Sequence, residues 1–539
     1  MFKKNNGHFQ GELFNGYTQI DEKIQKRLEK SWSPLFYEHV FCQIDETPFA
    51  VLYSQDNGRP NFPVNILLSL EFFKHLKDFT DEELIEQFYF NYQIIYALGL
   101  RNLGEMYLAP RTLYEFRSRL YGYTLEHPDQ ESLIFEQFEQ LTSSFLEKAK
   151  LDTSEQRTDS TQIMPNIKRA GRLAVAFDVL EQAIQACPRN LLSNRLQGVL
   201  ESTFKANLLY RSKGGEAEKR LDEIFSLCAE LLDMTQDDPD VHTLQELILV
   251  RRLLAEQAVL VDGLWKAKPN KDVAANSLQS AYDPDATYRS KGNKGHVGYV
   301  ANITETCADE NPVQIITDYT VKKNSVSDTE MLEERLPQIK EKTELTDLYA
   351  DGGYYGEDVE KQATKSTVNI HYTDMTGKEP SIEKLPLTSF TIEDDRIISC
   401  PAGKLALRTT FKKKTGILTA HFSLEECQAC PQRDVCPVKF QKKSSTLRVS
   451  QKALLAARKR QMIRAERKET TSKRAAIEGT NSVLKRRHGA DKLRVRTQVR
   501  VDVAFGLKVI SYNIRQILRF FQGSVRRKPK KQGISALVC

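Results

Sequence analysis

The chain has 539 residues, 40% of them hydrophobic, and a formal net charge of +6. That length exceeds what one hydrophobic core supports and predicts several units, and the absence of any low-complexity tract excludes a disordered chain. No stretch approaches 18 uncharged apolar residues, and Met1-Phe-Lys-Lys-Asn-Asn leads into no apolar signal core, so neither a membrane span nor export is predicted and a cytoplasmic location is expected.

Residues 1–150 read as mostly helical. Pro63-Val-Asn-Ile-Leu-Leu-Ser-Leu-Glu-Phe-Phe is followed by Thr80-Asp-Glu-Glu83, a capping box that predicts a helix through about Leu98. A second box, Thr112-Leu-Tyr-Glu115, predicts the start of a helix carrying Arg117 and Arg119. Capped helices with arginines suit a DNA-binding or dimerising module, and equally a plain helical bundle. Residues 151–166 change character: Thr and Ile around Asp159, closed by Pro165, predict a strand. Residues 167–282 return to helical periodicity and read as a helical insertion.

Residues 283–375 begin with two β-rich runs, Gly295–Glu305 and Pro312–Val321, separated by a polar turn and read as an antiparallel pair. A helix with Met331 and Leu332 follows, then a short strand from Leu345 that ends on Asp351 before Gly352 and Gly353. The paired glycines let the backbone turn sharply and leave the Asp351 side chain at the strand's C-terminal edge. Residues 376–455 read as a β-rich insertion containing Cys400, Cys427, Cys430 and Cys436, whose C-x2-C pair and spacing suit a structural zinc with four thiolate ligands. Cys42, Cys187, Cys228, Cys307 and Cys539 show no such spacing and are expected to be core or incidental residues. Residues 456–520 form basic C-terminal helices, and 521–539 a basic tail with Arg526-Arg-Lys-Pro-Lys-Lys531. The element order predicts an α/β domain interrupted twice.

Charge is distributed unevenly. Residues 441–539 carry 27 Lys or Arg against five Asp or Glu, a net of +22, which leaves −16 for residues 1–440. Such density on helical sequence marks a nucleic-acid surface. Within it, Arg474-Ala-Ala-Ile-Glu478-Gly-Thr-Asn481-Ser-Val-Leu-Lys485-Arg486-Arg487-His488 reads as one helix. At about 100° per residue, Arg474, Glu478, Asn481, Lys485 and His488 share a face, so one carboxylate sits in a basic stripe that keeps it ionised. Arg494 and Arg496 lead into an apolar-periodic helix from about Val501 to Phe520.

Asp159, Asp351 and Glu478 lie 192 and 127 residues apart and need the fold to bring them together. Their oxygen donors suit Mg²⁺ or Mn²⁺, which on a DNA backbone would activate an attacking oxygen and stabilise a leaving 3′ oxygen. These features resemble the DDE transposases of bacterial insertion sequences, whose signature is Y-x2-R-x3-E-x6-K. Arg474, Glu478 and Lys485 match its R, E and K, while Thr471 stands in place of the Tyr. Asp159 in Thr-Asp-Ser-Thr resembles the family's first acid, and Asp351 in Ala-Asp-Gly-Gly-Tyr-Tyr the second. The resemblance implies an RNase H-like core with Asp159, Asp351 and Glu478 catalytic and metal-binding. It also implies double-stranded DNA, both terminal repeats and target, as partner, with a homodimer holding the two ends near the nucleoid. Arg474, Asn481, Lys485, Arg486, Arg487, Arg494 and Arg496 are the expected DNA-binding residues. A non-catalytic transposase-derived DNA-binding protein and an RNase H-like nuclease without strand transfer are the alternative readings.

Overall fold

The computed structural model describes residues 1–9, 15–209, 216–291, 294–375, 384–393 and 396–523; the basic run 526–531 and Cys539 lie outside them. Among the described residues, seven α-helices precede the first strand: α1 (Glu22–Glu29), α2 (Trp32–His39), α3 (Val64–Lys77), α4 (Asp81–Phe90), α5 (Tyr92–Ala97), α6 (Pro110–Glu126) and α7 (Leu133–Ala149). α3 buries Ile66, Leu67, Leu68, Leu70, Phe72 and Phe73 around its circumference, which makes it an interior helix. The predicted Thr80/Glu83 box forms, with reciprocal hydrogen bonds of 3.1 and 2.7 Å. The helix it opens stops before Leu98, because the Asn91 side chain accepts from the backbone N–H groups of Gln93 and Ile94 and so starts α5. The second predicted box does not form: Pro110 occupies the first turn of α6, placing Thr112 and Glu115 inside the helix, where Glu115 pairs with Arg111 at 2.7 Å.

β1 (Glu155–Ile163) is followed by α8 (Arg172–Ala186), α9 (Asn194–Gly198), α10 (Ser202–Leu209), α11 (Ala217–Thr235), α12 (Pro239–His242) and α13 (Gln245–Gln257). Phe177, Leu180, Ile224, Phe225, Leu231, Leu247 and Leu253 give this helical insertion its own core. It is not purely helical, since β2 (Ala258–Val261) and β3 (Leu264–Ala267) form an antiparallel hairpin. Asp262 and Gly263 make its turn with positive φ, and Asp-Gly between two largely apolar runs is the readable signal. Then come β4 (Thr287–Lys291), β5 (Lys294–Thr306), β6 (Ile316–Lys323), α14 (Asp328–Lys342), β7 (Asp347–Ala350), α15 (Glu357–Ser366) and β8 (Asn369–Tyr372). The cysteine-bearing segment holds β9 (Thr391–Glu393), β10 (Arg396–Ser399), β11 (Arg408–Lys412), β12 (Ile417–Phe422), α16 (Leu424–Gln428), β13 (Lys439–Phe440) and β14 (Ser445–Ser450). The chain then runs through α17 (Gln451–Ala475), α18 (Ile477–Arg487) and α19 (Gln498–Phe521). The stretch 474–488 is therefore two helices, divided by a turn at Ala476.

The chain divides into two compact units. The first contains Met1–Thr153, Asp159–Met331 and the residues from Glu478 onward. In it β5 pairs antiparallel with β6 over Tyr299–Glu305 and with β4 over Lys294–Gly298, and the later part of β1 flanks β5. α19 is buried along most of its length and lies against α3, α7 and β6, so the N-terminal helices share a core with the C-terminal helix and form no separate domain. Gly506 is the point of closest approach: a Cβ there would meet Tyr319 Cζ at 2.8 Å, and Tyr319 is itself enclosed by Phe135, Phe138 and Phe505.

The second unit contains Ser154–Thr158 and Leu332–Ile477. The opening residues of β1 pair in parallel with β7, and β7 with β8, over a core of Leu336, Leu348, Ile370 and Tyr372. β11-β12-β14-β13 form an antiparallel sheet whose cluster includes Phe390, Leu418, Phe422, Leu447 and Leu454.

Candidate active site

In the first unit, Asp159 lies in β1 and is 7% exposed. The Asn481 Nδ2 donates to its Oδ2 at 3.0 Å. α18 is placed for this by buried Ile477 and Leu484 and by Thr480, whose hydroxyl donates to Glu305 on β5 at 2.8 Å. After α18, Gly489 turns the chain with φ of 64°, and the following loop bonds to the continuation of β1: Met164 N to Asp491 O at 3.1 Å, Leu493 N to Met164 O at 2.9 Å and Asn166 N to Val495 O at 2.8 Å. Backbone hydrogen bonds thus fix the continuation of the Asp159 strand to the loop that follows the Glu478 helix. Glu478 is solvent-exposed in the first turn of α18, where the helix end favours a negative charge.

Asp351 belongs to the second unit. Its Oδ1 accepts from Gly353 N at 2.7 Å and caps the short turn Gly352–Tyr354. Gly352 is required there, since a Cβ would lie 2.7 Å from the Asp374 carbonyl oxygen. Arg474, near the end of α17, places Nη2 3.6 Å from Asp351 Oδ2. The same end of α17 is fastened by Lys473, bonded to both Glu155 oxygens at 2.8 and 2.7 Å, and by Arg157 Nη1 donating to the Lys473 carbonyl at 3.0 Å.

The other predicted DNA contacts differ in their surroundings. Arg486 and Arg487 are exposed. Lys485 is half-buried, 3.7 Å from Asp491. Arg494 donates to the Phe79 carbonyl at 3.1 Å and to Asp78 at 3.3 Å, and the Arg496 guanidinium lies over the Tyr282 ring. Asn481 is buried against Asp159 and is not a surface residue. His488 is also no part of a basic stripe: it is fully buried, and burial pushes its pKa down to about 4. Exposed Arg464, Arg467 and Lys468 extend the cationic surface along α17; their i, i+3, i+4 spacing was the available signal and the sequence reading did not single them out.

The neutral His488 has a measurable consequence. Its folded pKa lies below the ordinary 6.5, so the unfolded chain binds the extra proton first. The stability it supports is complete above about pH 6.5 and is lost as pH falls toward 4. His75, whose carbonyl lies 3.1 Å from His488 Nδ1 and whose own pKa is held well below normal by burial, acts in the same direction. Thermal melting should therefore fall between pH 6.5 and 4, and the fall should be shallower in His488→Gln. An equal slope in both proteins would remove His488 as a contributor.

Cys400 N bonds to the Lys404 carbonyl and Gly403 N to the Cys400 carbonyl, both at 2.9 Å, in a tight turn with Gly403 at φ of 75°. Cys427 and Cys430 flank the end of α16, and Cys400, Cys427 and Cys436 pack against one hydrophobic cluster. Burial raises the pKa of Cys427 and Cys436, and the neighbouring cysteines raise it further. Among the described residues, however, no three His, Cys, Asp or Glu side chains converge into a group able to hold a metal. Asp159 is engaged by Asn481, and Asp351 by Gly353 N and the nearby Arg474. Cys187, Cys228 and Cys307 are buried thiols, as expected, and Cys42 is half-buried.

Fold and site together define a mixed α/β protein with carboxylates on its strands and a cationic C-terminal surface. Residues 399–518 match a family model described as a transposase DDE domain, and residues 22–119 one described as a transposase domain (DUF772). Together these two matches support a DDE-type transposase of an insertion sequence. The first match takes in the four cysteines, α17 and Glu478, while Asp159 and Asp351 lie outside it. Searches of curated proteins and of solved structures returned no match. No helix among the described residues is long and apolar enough to cross a membrane.

Proposed function

We propose that this transposase cleaves DNA at the ends of its insertion sequence and joins the released 3′-OH to target DNA, using Asp159, Asp351 and Glu478 as the metal-binding acids of an RNase H-like core. The observation that carries the reading is the match of residues 399–518 to a transposase DDE domain, which takes in Glu478 on its basic helix. Asp159 lies within β1, and Asp351 directly follows the end of β7. Strand directions within each unit support it: β5 and β6 pair antiparallel in the first, and in the second the opening residues of β1 and all of β8 run parallel to β7. The donors are carboxylate oxygens, which fit a hard cation that takes one or two protein ligands and completes its shell with water and phosphate. Magnesium or manganese held there supplies activation of the attacking oxygen and stabilisation of the leaving oxygen.

The chain's own residues then orient and hold. Asn481 fixes Asp159, and Gly353 N–H fixes Asp351. Arg474, Lys485, Arg486 and Arg487 hold phosphates, which sets register without reading bases. Arg494 and Arg496 support the loop that joins α18 to α19 and reach DNA only at its edge. Two copies of the chain hold the two ends. The test is a reaction on a plasmid carrying the gene with its native flanking DNA. Metal-dependent 3′-OH ends at the element boundaries and joined products are expected. End binding without cleavage would favour the non-catalytic reading, and cleavage without joined products the nuclease.

The same reading gives the four cysteines a structural zinc. Thiolate donors at C-x2-C spacing suit it, and a cation would offset the burial and the mutual repulsion that raise the Cys427 and Cys436 pKa values. Elemental analysis should find about one zinc per chain. Chelation, or Cys427→Ser, should lower the melting temperature. Zinc-free protein that melts unchanged would overturn the assignment.

A further inference from the structure

The sequence places Asn481 among the DNA-contacting residues, one helical turn beyond Glu478. Its environment is different in kind. Asn481 is 7% exposed, as is Asp159, and its Nδ2 donates to Asp159 Oδ2 at 3.0 Å. An ionised carboxylate only accepts hydrogen bonds, so the amide must present its NH₂ to Asp159 and turn its carbonyl away. That carbonyl oxygen, Oδ1, is buried and has no hydrogen-bond partner among the described residues. A buried acceptor without a donor costs on the order of 1–3 kcal/mol, and such a group persists where something absent from the protein alone satisfies it.

Helix geometry limits what that something is. Glu478 and Asn481 are three residues apart on α18 and therefore share a face. Thr480, between them, is turned the other way and is bonded to Glu305. The orphan oxygen thus belongs to the helix face that carries Glu478, next to the carboxylate of Asp159. A phosphate cannot satisfy it, because phosphate oxygens are acceptors. A divalent cation, or a water in its shell, can.

Resting on the function proposed above, we propose that Asn481 is a positioning residue of the metal site: its NH₂ orients Asp159, and its Oδ1 receives a divalent cation or a water bound to that cation. The side chain thereby ties the first-strand acid to the helix of the third acid.

The test measures Mn²⁺ binding to full-length protein on uncleaved end DNA by electron paramagnetic resonance, together with the Mg²⁺ dependence of cleavage. Wild type, Asn481→Ala, Asn481→Asp and Asp159→Asn are compared. Asn481→Ala should weaken the Asp159-dependent Mn²⁺ site at least tenfold and raise the Mg²⁺ needed for half-maximal cleavage by a similar factor, with DNA affinity within twofold of wild type. Asn481→Asp supplies an oxygen donor without the NH₂; it should retain Mn²⁺ binding better than the alanine variant. Unchanged Mn²⁺ binding in Asn481→Ala, with wild type active, would overturn the proposal and leave the transposase reading standing. Weakened DNA binding with an unaltered Mn²⁺ site would return Asn481 to the DNA contacts and likewise overturn it. A wild type that shows no Asp159-dependent Mn²⁺ site and no cleavage would sink both readings. Melting curves of each variant exclude general unfolding as the cause.

Discussion

Asp351→Asn is expected to lower cleavage of end DNA by about 10³-fold or more, which corresponds to about 4 kcal/mol of transition-state stabilisation. The substitution keeps the shape of the side chain. An asparagine carbonyl still accepts from Gly353 N, which the Asp351 carboxylate binds at 2.7 Å, so the turn Gly352–Tyr354 should survive. The charge is what is lost, and with it the anionic oxygen that a divalent cation requires. Arg474, 3.6 Å from Oδ2, then faces an amide, and its positive charge becomes available to a phosphate. Affinity for end DNA measured without metal should therefore stay within about twofold or rise slightly. Gel-resolved cleavage and filter binding on the same preparation separate the two effects. Retained cleavage would remove Asp351 from the metal site.

The second large effect is on stability. Arg117 was open to reading as a DNA-contacting arginine, yet it lies in a buried ion network. Its Nε donates to Glu71 at 2.8 Å, and Nη1 and Nη2 donate to the two oxygens of Asp81 at 2.9 and 2.6 Å. Glu71 is 2% exposed, and His75, 4.0 Å away, is neutral because burial holds its pKa well below normal. Arg117→Met therefore leaves a buried carboxylate with no cation to replace the one removed. Removing one partner of a buried pair costs about 3–5 kcal/mol, which for a chain of this size lowers melting by roughly 3–4 °C. Glu71→Gln combined with Arg117→Met should recover much of the loss. A small change in melting with a large loss of DNA affinity would instead make Arg117 a DNA contact. Asp81 gives this network a pH signature. Its own burial opposes ionisation, but Arg117 and Lys74 outweigh that and hold its pKa at about 2, so its contribution is complete above about pH 4 and is lost as pH falls toward 2.

Local signals were legible where local physics decides. The Thr80/Glu83 capping box, the strand bearing Asp159, the turn after Asp351 and the long apolar helix near the C-terminus all stand as read, because each depends on residues within a turn or two. Misreadings fall where two local signals compete or a single residue redirects the chain. Asn91 can cap a new helix as readily as continue the old one, and Pro110 outranks the Thr112 box for the start of α6. At Ala476 nothing in the sequence breaks a helix, and the turn there coincides with the change from one compact unit to the other.

By itself the sequence determined the chemistry on offer: which carboxylates end strands or head a helix, where cations are dense, and where thiols have ligand spacing. Side-chain type and short-range spacing fix those properties. The tertiary structure decided which polar groups are already committed. Asn481, Arg117 and His488 read alike on paper as polar or basic side chains on helices. The fold buries all or most of each, binding Asn481 to Asp159, Arg117 to Glu71 and Asp81, and leaving His488 neutral. The physical reason is that burial changes what a polar or charged group costs. Away from water it must find a partner or lose its charge, and only contacts between residues tens to hundreds of positions apart determine which of these occurs.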